Sequence, residues 1–191
     1  MMKWHKLFIK SSNKSNIPIE AEQKINDNTE YINYESQNKE KIIAEQIEST
    51  TETVVKQRGL RTVSKIEVSV SLEDLRIDIY ANDRSVAYMY ATTYDGKNAY
   101  LKRLHVDGKI RRCGLATAMM QGFIELIEDK YESLYLHVSP GELCPSHIEE
   151  GINFEILEKD ELIKFYNKFG LVEGDQIEGY PCFLILKLGS R

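Results

Sequence analysis

The 191-residue sequence lacks the features that mark several large classes of protein. It has only three cysteines, Cys113, Cys144 and Cys182, and their odd number and wide spacing argue against a disulfide framework and for a reducing compartment. No run approaches the roughly 18 consecutive apolar residues of a membrane span. Basic residues are not in excess either: 25 Lys and Arg stand against 30 Asp and Glu, so a general attraction to nucleic acid is not expected.

The N-terminal stretch MMKWHKLFIKSS also falls short of a secretion signal. Its apolar core is only Leu7-Phe8-Ile9, whereas a secretory signal needs about 7 to 15 apolar residues. The sequence therefore predicts a cytoplasmic protein that makes no membrane contact. No metal is expected, because Cys144-Pro-Ser-His147 offers half of a zinc site and no second pair of ligands follows.

The first third of the chain differs in character from the rest. Residues 11–35 are polar, rich in Asn and Ser, and without a sustained period, which predicts a loose tail or linker. Residues 37–58 space Ile43, Ile47 and Val54 in a helical way and end before Gly59, so one helix is predicted there. We assign residues 1–60 to an N-terminal extension and residues 61–191 to the folded domain.

From Ser64 onward the apolar residues alternate with polar ones. Three such runs, at 66–70, 75–79 and 86–91, are separated by turn residues and predict an antiparallel meander. The next run breaks the alternation, since the pair Lys102-Arg103 separates Leu101 from Leu104. This spacing favours a β-bulge, with an imperfect edge strand as the alternative.

A helix and a further strand follow the meander. Apolar residues recur at helical spacing from Leu115 to Ile127, and Leu134, Leu136 and Val138 then alternate. A strand, a helix and a strand in this order suggest a parallel crossover beside the meander. The predicted class is α+β, a mostly antiparallel mixed sheet with flanking helices.

The turn before that helix has the composition of an anion site. Arg111 and Arg112 lead through Gly114 into a helix whose first N–H groups lack internal partners, so a phosphate group is the expected ligand. The phosphate loop G-x-x-x-x-G-K-[ST] and the dinucleotide motif G-x-G-x-x-G are both absent. The observed spacing is R-x-x-G-x-A, from Arg111 to Ala116.

The stretch RLHVDGKIRRCGLATAMM resembles motif A of the GNAT superfamily of acetyl-CoA-dependent N-acetyltransferases. Leu104-His105-Val106 matches the end of that motif's strand, and Arg111 to Ala116 matches [QR]-x-x-G-x-[GA]. Downstream, 162-LIKFYNKFGLVEG-174 is similar to motif B, with Phe165, Tyr166, Lys168 and Gly170 in register. The resemblance covers about residues 75–188.

This resemblance implies a GNAT-like sheet with a splayed central strand pair and a site for acetyl-CoA. The edge of Leu104, His105 and Val106 would hydrogen-bond the pantetheine. The pyrophosphate would meet the N–H groups of six successive residues: Arg111, Arg112, Cys113, Gly114, Leu115 and Ala116. Arg111 and Arg112 are alternatively solvated surface charges.

The resemblance also implies direct transfer of acetyl to an amine acceptor, a small molecule or a protein amine. Tyr166 occupies the family's usual general-acid position, although it could instead be a core residue. His105 is a candidate base, with His137 and then Tyr100 as further candidates, and each histidine could be merely structural. A CoA-binding module that has lost catalysis, or an interaction protein, is the alternative function; nucleic acid is a poor candidate partner, and a homodimer is left open.

Two departures from the family leave the acceptor unidentified. The passage to motif B is lengthened by residues 140–159, next to the expected meeting point of cofactor and acceptor, with Asp160 as the expected N-cap of the following helix. The family's first two helices, which normally wall the acceptor site, are missing between the strands at 66–70 and 75–79. The helix at 37–58 could replace one of them.

Overall fold

The computed structural model describes residues 19–60, 63–139, 158–174 and 183–189, with side chains from Glu35 onward. The predictions made for residues 11–18, for the insert at 140–157, and for Cys144, His147 and Cys182 lie outside these residues. Within the described part, no helix is both long enough and apolar enough to cross a membrane.

The described residues form a seven-stranded sheet and three α-helices, which confirms the α+β class. The strands are β1 Ile66–Ser71, β2 Arg76–Ala81, β3 Arg84–Thr92, β4 Asn98–Val106, β5 Ser133–His137, β6 Val172–Glu173 and β7 Phe183–Lys187. The helices are α1 Ile19–Gln57, α2 Leu115–Ile127 and α3 Lys159–Asn167, and a short 3-10 turn covers Gly108–Ile110. The spatial order is β1-β2-β3-β4-β5-β7-β6, with β4 and β5 parallel and every other neighbouring pair antiparallel.

The meander of β1 to β4 follows the period-two alternation read in the sequence. Asn82 and Asp83 join β2 to β3 with φ of 52° and 63°. Two successive positive φ values suit a tight hairpin turn, and Asn and Asp are the non-glycine residues that tolerate them best. The Asn82 side chain also accepts hydrogen bonds from the N–H groups of Ser64 and Lys65, which ties the start of β1 to this turn.

The alternation gives the sheet two unlike faces. On one, which we call the helix face, Ile77, Ile79 and Met89 are fully buried in a cluster shared with α1 and α2. The opposite side, the aromatic face, carries rings from β3, β4 and β5 that are half-buried: Tyr88, Tyr90, Tyr100 and Tyr135. Apolar burial on the helix face therefore drives the association of the sheet with its helices.

Helix α1 is present where the sequence predicted it but begins earlier. The prediction of a loose segment over residues 19–35 is wrong, because these residues are helical. Residues 20–24 are Glu, Ala, Glu, Gln and Lys, which are good helix formers, and each residue added to an existing helix gains a hydrogen bond without a new nucleation step. The chain divides into two units, Met1–Glu35 and Ser36–Arg191; our division at residue 60 stays a prediction.

The second half of α1 lies directly on α2. Ile43 and Ile47 are each 1% exposed and contact α2 at Gly122, where a Cβ atom would come within 2.7 Å of Ile43 Cγ2. An ion pair of 2.6 Å joins Lys39 to Asp129 beyond the end of α2. Gly122 therefore permits a close approach of the two helices that any larger residue would prevent.

The N-cap of α3 differs from the prediction. Glu158, not Asp160, is the cap, and its N–H group donates to the carboxylate of Glu161 at 3.2 Å. Asp160 instead lies in the first turn, where its charge is favourable to the helix dipole. The sequence does not distinguish the two candidate caps, because Glu158, Asp160 and Glu161 all fall within four positions.

We expect Gly122→Ala to destabilise the protein by about 1–3 kcal/mol, the usual range for overpacking a core. The clashing methyl sits on the β-branched carbon of Ile43, whose rotamer is stiff in a helix, so it cannot swing away. Urea unfolding followed by circular dichroism measures the free energy of unfolding.

The matched variant for this test is Ile43→Leu, which removes the methyl from the β-carbon. In the double mutant, Ile43→Leu should recover part of the stability lost through Gly122→Ala. Strictly additive effects of the two changes would show that the helices do not meet at Gly122.

Candidate functional site

Strand β4 contains one residue more than its partner strand. Tyr90 is paired with Arg103 and Ala91 with Leu101, so Lys102 has no counterpart on β3. Lys102 and Arg103 are consequently both exposed, while Leu101 and Val106 are buried on the helix face. The predicted bulge is thus confirmed, and such bulges bend and twist the strand that carries them.

Beyond the bulge, β4 separates from β5. Their pairing runs from Asn98↔Ser133 only as far as Leu101↔Leu136, so no described strand pairs with residues 102–106 on that side. The Asp107 N–H group donates to Val86 of β3 at 2.8 Å. Because peptide groups alternate along a strand, the N–H and C=O groups of Leu104 and Val106 point the other way, into the gap beside β5.

The turn after β4 presents backbone N–H groups at its end. Arg112 and Gly114 have φ of 59° and 85°, and the first bond of α2 runs from the Ala118 N–H group to the Gly114 carbonyl. The N–H groups at the first helical positions therefore have no carbonyl inside the helix, and Gly114 provides no side-chain cap. A Cβ at Gly114 would meet no heavy atom within 4 Å, so the space beside Gly114 is open. The arrangement suits an anion.

Arg111 fastens this turn to the end of β4. Its Nε donates to the Val106 carbonyl at 2.8 Å, which occupies one of the acceptors along the edge facing the gap. The Arg111 side chain thus makes a contact within the protein, in addition to the attraction expected between its positive charge and a phosphate ligand. Arg112 holds a left-handed backbone that is unfavourable for a non-glycine residue, and strain of this kind clusters at functional sites.

Sequence reasoning missed Arg58, which reaches the same turn from the end of α1. Its Nη2 donates to the Arg111 carbonyl at 2.6 Å and its Nε to Cys113 Sγ at 2.9 Å. Arg58 and Arg111 are 53 positions apart. In the sequence, Gly59 indicates where the helix ends. Nothing in the sequence indicates which part of the protein the end of the helix contacts.

Tyr166 has a buried ring and a hydroxyl oxygen that keeps some exposure to solvent. The residue is 8% exposed and belongs to the apolar cluster of the helix face. Burial raises the pKa of its phenol to about 12. Among the described residues none forms a hydrogen bond with the hydroxyl, and none has a fully buried side-chain N or O atom without a partner, so the oxygen keeps some exposure to solvent.

The candidate bases lie on the aromatic face. The register pairs His105 with Tyr88, and the two rings stack with centroids 5.1 Å apart. His137 is exposed at the end of β5, one residue past the last pairing with β4. Both histidines therefore flank the gap on the face opposite to the cluster that holds Tyr166.

Tyr100 closes the narrow end of the gap. It stacks on Tyr135 across the β4–β5 pair, with ring centroids 5.2 Å apart. Burial is the main reason why the pKa of the Tyr100 phenol is raised, so this phenol is poorly suited to act as a base at neutral pH. No group of three or more His, Cys, Asp or Glu within the described ranges could hold a metal ion.

Three solved acetyltransferase structures illustrate the structural likeness. Ard1 from Thermoplasma volcanium is 19% identical, with 59% of this chain and 68% of that chain covered and a TM-score of 0.42. A GNAT family acetyltransferase from Elizabethkingia anophelis with acetyl-CoA bound is 14% identical, with 59% and 75% covered and a TM-score of 0.42. The PaiA N-acetyltransferase from Thermoplasma acidophilum, in complex with coenzyme A, is 14% identical, with 59% and 60% covered and a TM-score of 0.42.

A search of curated proteins finds no significant match. The sequence model of the acetyltransferase (GNAT) family, in contrast, matches residues 43–146. The match spans the second half of α1, the meander, the bulged strand β4, the turn at 107–114, α2 and β5. Because it covers more than half of the sequence, the chain belongs to the GNAT acetyltransferase family.

Proposed function

We propose that this protein is an N-acetyltransferase that moves the acetyl group of acetyl-CoA directly to an amine acceptor bound in the same complex. One observation supports the proposal above the others. On the side of β5, no described strand pairs with β4 at 104–106, and this edge leads within a few residues into the turn whose Gly114 N-cap carries no side-chain hydrogen bond at the start of α2. A strand edge followed by an anion site matches a ligand that has amide groups at one end and phosphates at the other.

The residues present fit acetyl-CoA in this orientation. The pyrophosphate would lie at the N–H groups of residues 112–116, where the helix dipole favours negative charge. The two amides of the pantetheine would pair with the open N–H and C=O groups of β4, as an added strand does. The thioester would then reach the narrow end of the gap, where β4 and β5 come together.

The reaction requires an acceptor amine that has lost its proton. An alkylammonium group with a pKa of ~10.4 must lose this proton before attack, which costs roughly 4.6 kcal/mol at pH 7 if bulk water is the acceptor. A positioned base lowers that cost. We propose that His105, or His137 across the gap, takes the proton directly or through water. The amine nitrogen then bonds to the thioester carbon, and the C–S bond breaks.

Tyr166 would assist the departing sulfur. With a pKa of about 12 its phenol stays protonated throughout the neutral range and can donate a hydrogen bond. Complete transfer of that proton to a thiolate whose parent thiol has a pKa of ~8.5 would be uphill by about 5 kcal/mol. We therefore propose that Tyr166 stabilises the developing thiolate by hydrogen bonding, while the proton lost by the acceptor neutralises the charge in the net reaction.

A prediction at Gly114 separates an effect on ligand binding from an effect of backbone strain. Gly114→Ala should weaken acetyl-CoA binding at least tenfold, because the new methyl projects into the space before the N–H groups. Gly96→Ala is the matched control: Gly96 also has a positive φ, 69°, and open space around it, but lies in the β3–β4 hairpin. Both changes should lower stability by a similar ~1–2 kcal/mol.

Isothermal titration calorimetry measures this difference. Equal acetyl-CoA affinities for the two variants would remove the phosphate-binding role from the turn. A wild-type protein that binds no acetyl-CoA at millimolar concentration would overturn the proposed function itself.

A further prediction concerns Tyr166. Tyr166→Phe should lower kcat about 10- to 1000-fold and leave acetyl-CoA affinity nearly unchanged, since the hydrogen bond forms mainly in the transition state. The measurement is steady-state acetylation of an acceptor found by screening amines and peptides with labelled acetyl-CoA and mass spectrometry.

Tyr131→Phe provides a matched control for that substitution. Tyr131 is 6% exposed and its phenol pKa is likewise raised by burial, so the change removes a comparable hydroxyl away from the gap. If Tyr166→Phe and Tyr131→Phe both retain wild-type kcat while chemistry limits the rate, Tyr166 has no role in catalysis.

A further inference from the structure

We propose that Arg58, at the end of α1, is a positioning residue for the phosphate-binding turn. This inference rests on the proposed function, because it assumes that the turn binds acetyl-CoA. It makes the N-terminal helix a working part of the cofactor site, in addition to a packing element of the core.

The end of α1 is rigidly defined. The Gly59 N–H group donates to the Lys56 carbonyl at 3.1 Å, and the Leu60 N–H group donates to the Val55 carbonyl at 3.1 Å. With Gly59 at a φ of 63°, these two bonds make a Schellman motif in which Arg58 is the C-cap. Val54, one turn earlier, is 1% exposed in the core. The backbone position from which the Arg58 side chain extends is therefore fixed.

From that point, the guanidinium group makes two different contacts with the turn. Nη2 donates to the Arg111 carbonyl at 2.6 Å and Nε donates to Cys113 Sγ at 2.9 Å. Cys113 Sγ is also within 3.4 Å of that same carbonyl. The planar guanidinium group carries two separate N–H donors and so reaches both the Arg111 carbonyl and Cys113 Sγ. A lysine ammonium does not reproduce this geometry.

The carbonyl that Arg58 binds controls the direction of the next N–H group. In a planar trans peptide the C=O and N–H bonds point in opposite directions. When the Arg111 carbonyl is held toward α1, the Arg112 N–H group must point away from α1. Arg112 has a left-handed backbone, an unfavourable state for arginine that persists only when neighbouring contacts hold it. Arg58 supplies such a contact.

The turn is thus held from two sides. Arg111 links it to the end of β4 through the Val106 carbonyl, and Arg58 links it to the end of α1. Preorganised donors bind an anion more tightly because less ordering remains to be done on binding. Loss of Arg58 should therefore affect ligand affinity far more than the chemical step.

The test compares three variants of the full chain by acetyl-CoA calorimetry. Arg58→Ala should raise the acetyl-CoA Kd about tenfold. Arg58→Lys should raise it nearly as much, because lysine keeps the charge but lacks the two separate N–H donors of the guanidinium group. Lys56→Ala removes an exposed charge from the same turn of α1 and should leave the Kd within twofold of wild type. With an acceptor in hand, Arg58→Ala should raise KM for acetyl-CoA at unchanged kcat.

The outcomes separate this inference from the proposed function. Wild-type binding together with unchanged affinity in Arg58→Ala would overturn the positioning role alone. Full affinity in Arg58→Lys would also overturn it, since charge alone would then explain any effect of alanine. A wild-type protein that binds no acetyl-CoA would overturn the proposed function and this inference with it.

Discussion

The unpaired position of Lys102 in β4 is the local feature on which the geometry of the candidate site depends. Up to Leu101, β4 has neighbours on both sides, and past the extra residue it keeps only β3 among the described strands. Inside a sheet, the backbone N–H and C=O groups of a strand are normally hydrogen-bonded to the neighbouring strands. Here the pairing with β5 ends in mid-strand, and of the edge groups that β5 would have met, the Val106 carbonyl accepts instead from Arg111. The bulge thus converts a position inside a sheet into an accessible strand edge.

The two faces of the sheet beside this edge carry different chemical groups. The helix face is apolar and holds Tyr166, a phenol whose pKa burial raises to about 12. The aromatic face carries His105 and His137, whose imidazole rings are able to accept a proton. A ligand in the gap would therefore have a proton donor on one side and proton acceptors on the other. In the proposed direct transfer, one side would take the proton that the amine loses and the other would stabilise the departing thiolate.

Features controlled by local spacing were predictable from the sequence. The two consecutive polar residues between Leu101 and Leu104 predicted the bulge, and R-x-x-G-x-A predicted the turn and the start of α2. The early start of α1 was missed because residues 19–35 show no apolar period, and helix formation there depends on propensity and on extension of an existing helix. Arg58 was missed for a different reason: its contacts join distant segments, and only the folded chain brings them together.

The close contact between Ile43 and Gly122 has a consequence for the order in which the protein folds. These residues are separated by roughly 80 positions in the sequence, a span that takes roughly 4–16 s to synthesise at ribosomal rates of ~5–20 residues per second. Throughout that interval the apolar stripe of α1 has no α2 to cover it. The hairpins of β1 to β4 emerge first and need only neighbouring segments to pair. On the ribosome, the face of α1 that packs on α2 should therefore remain exposed until α2 emerges, and during this period a chaperone could bind its apolar side chains.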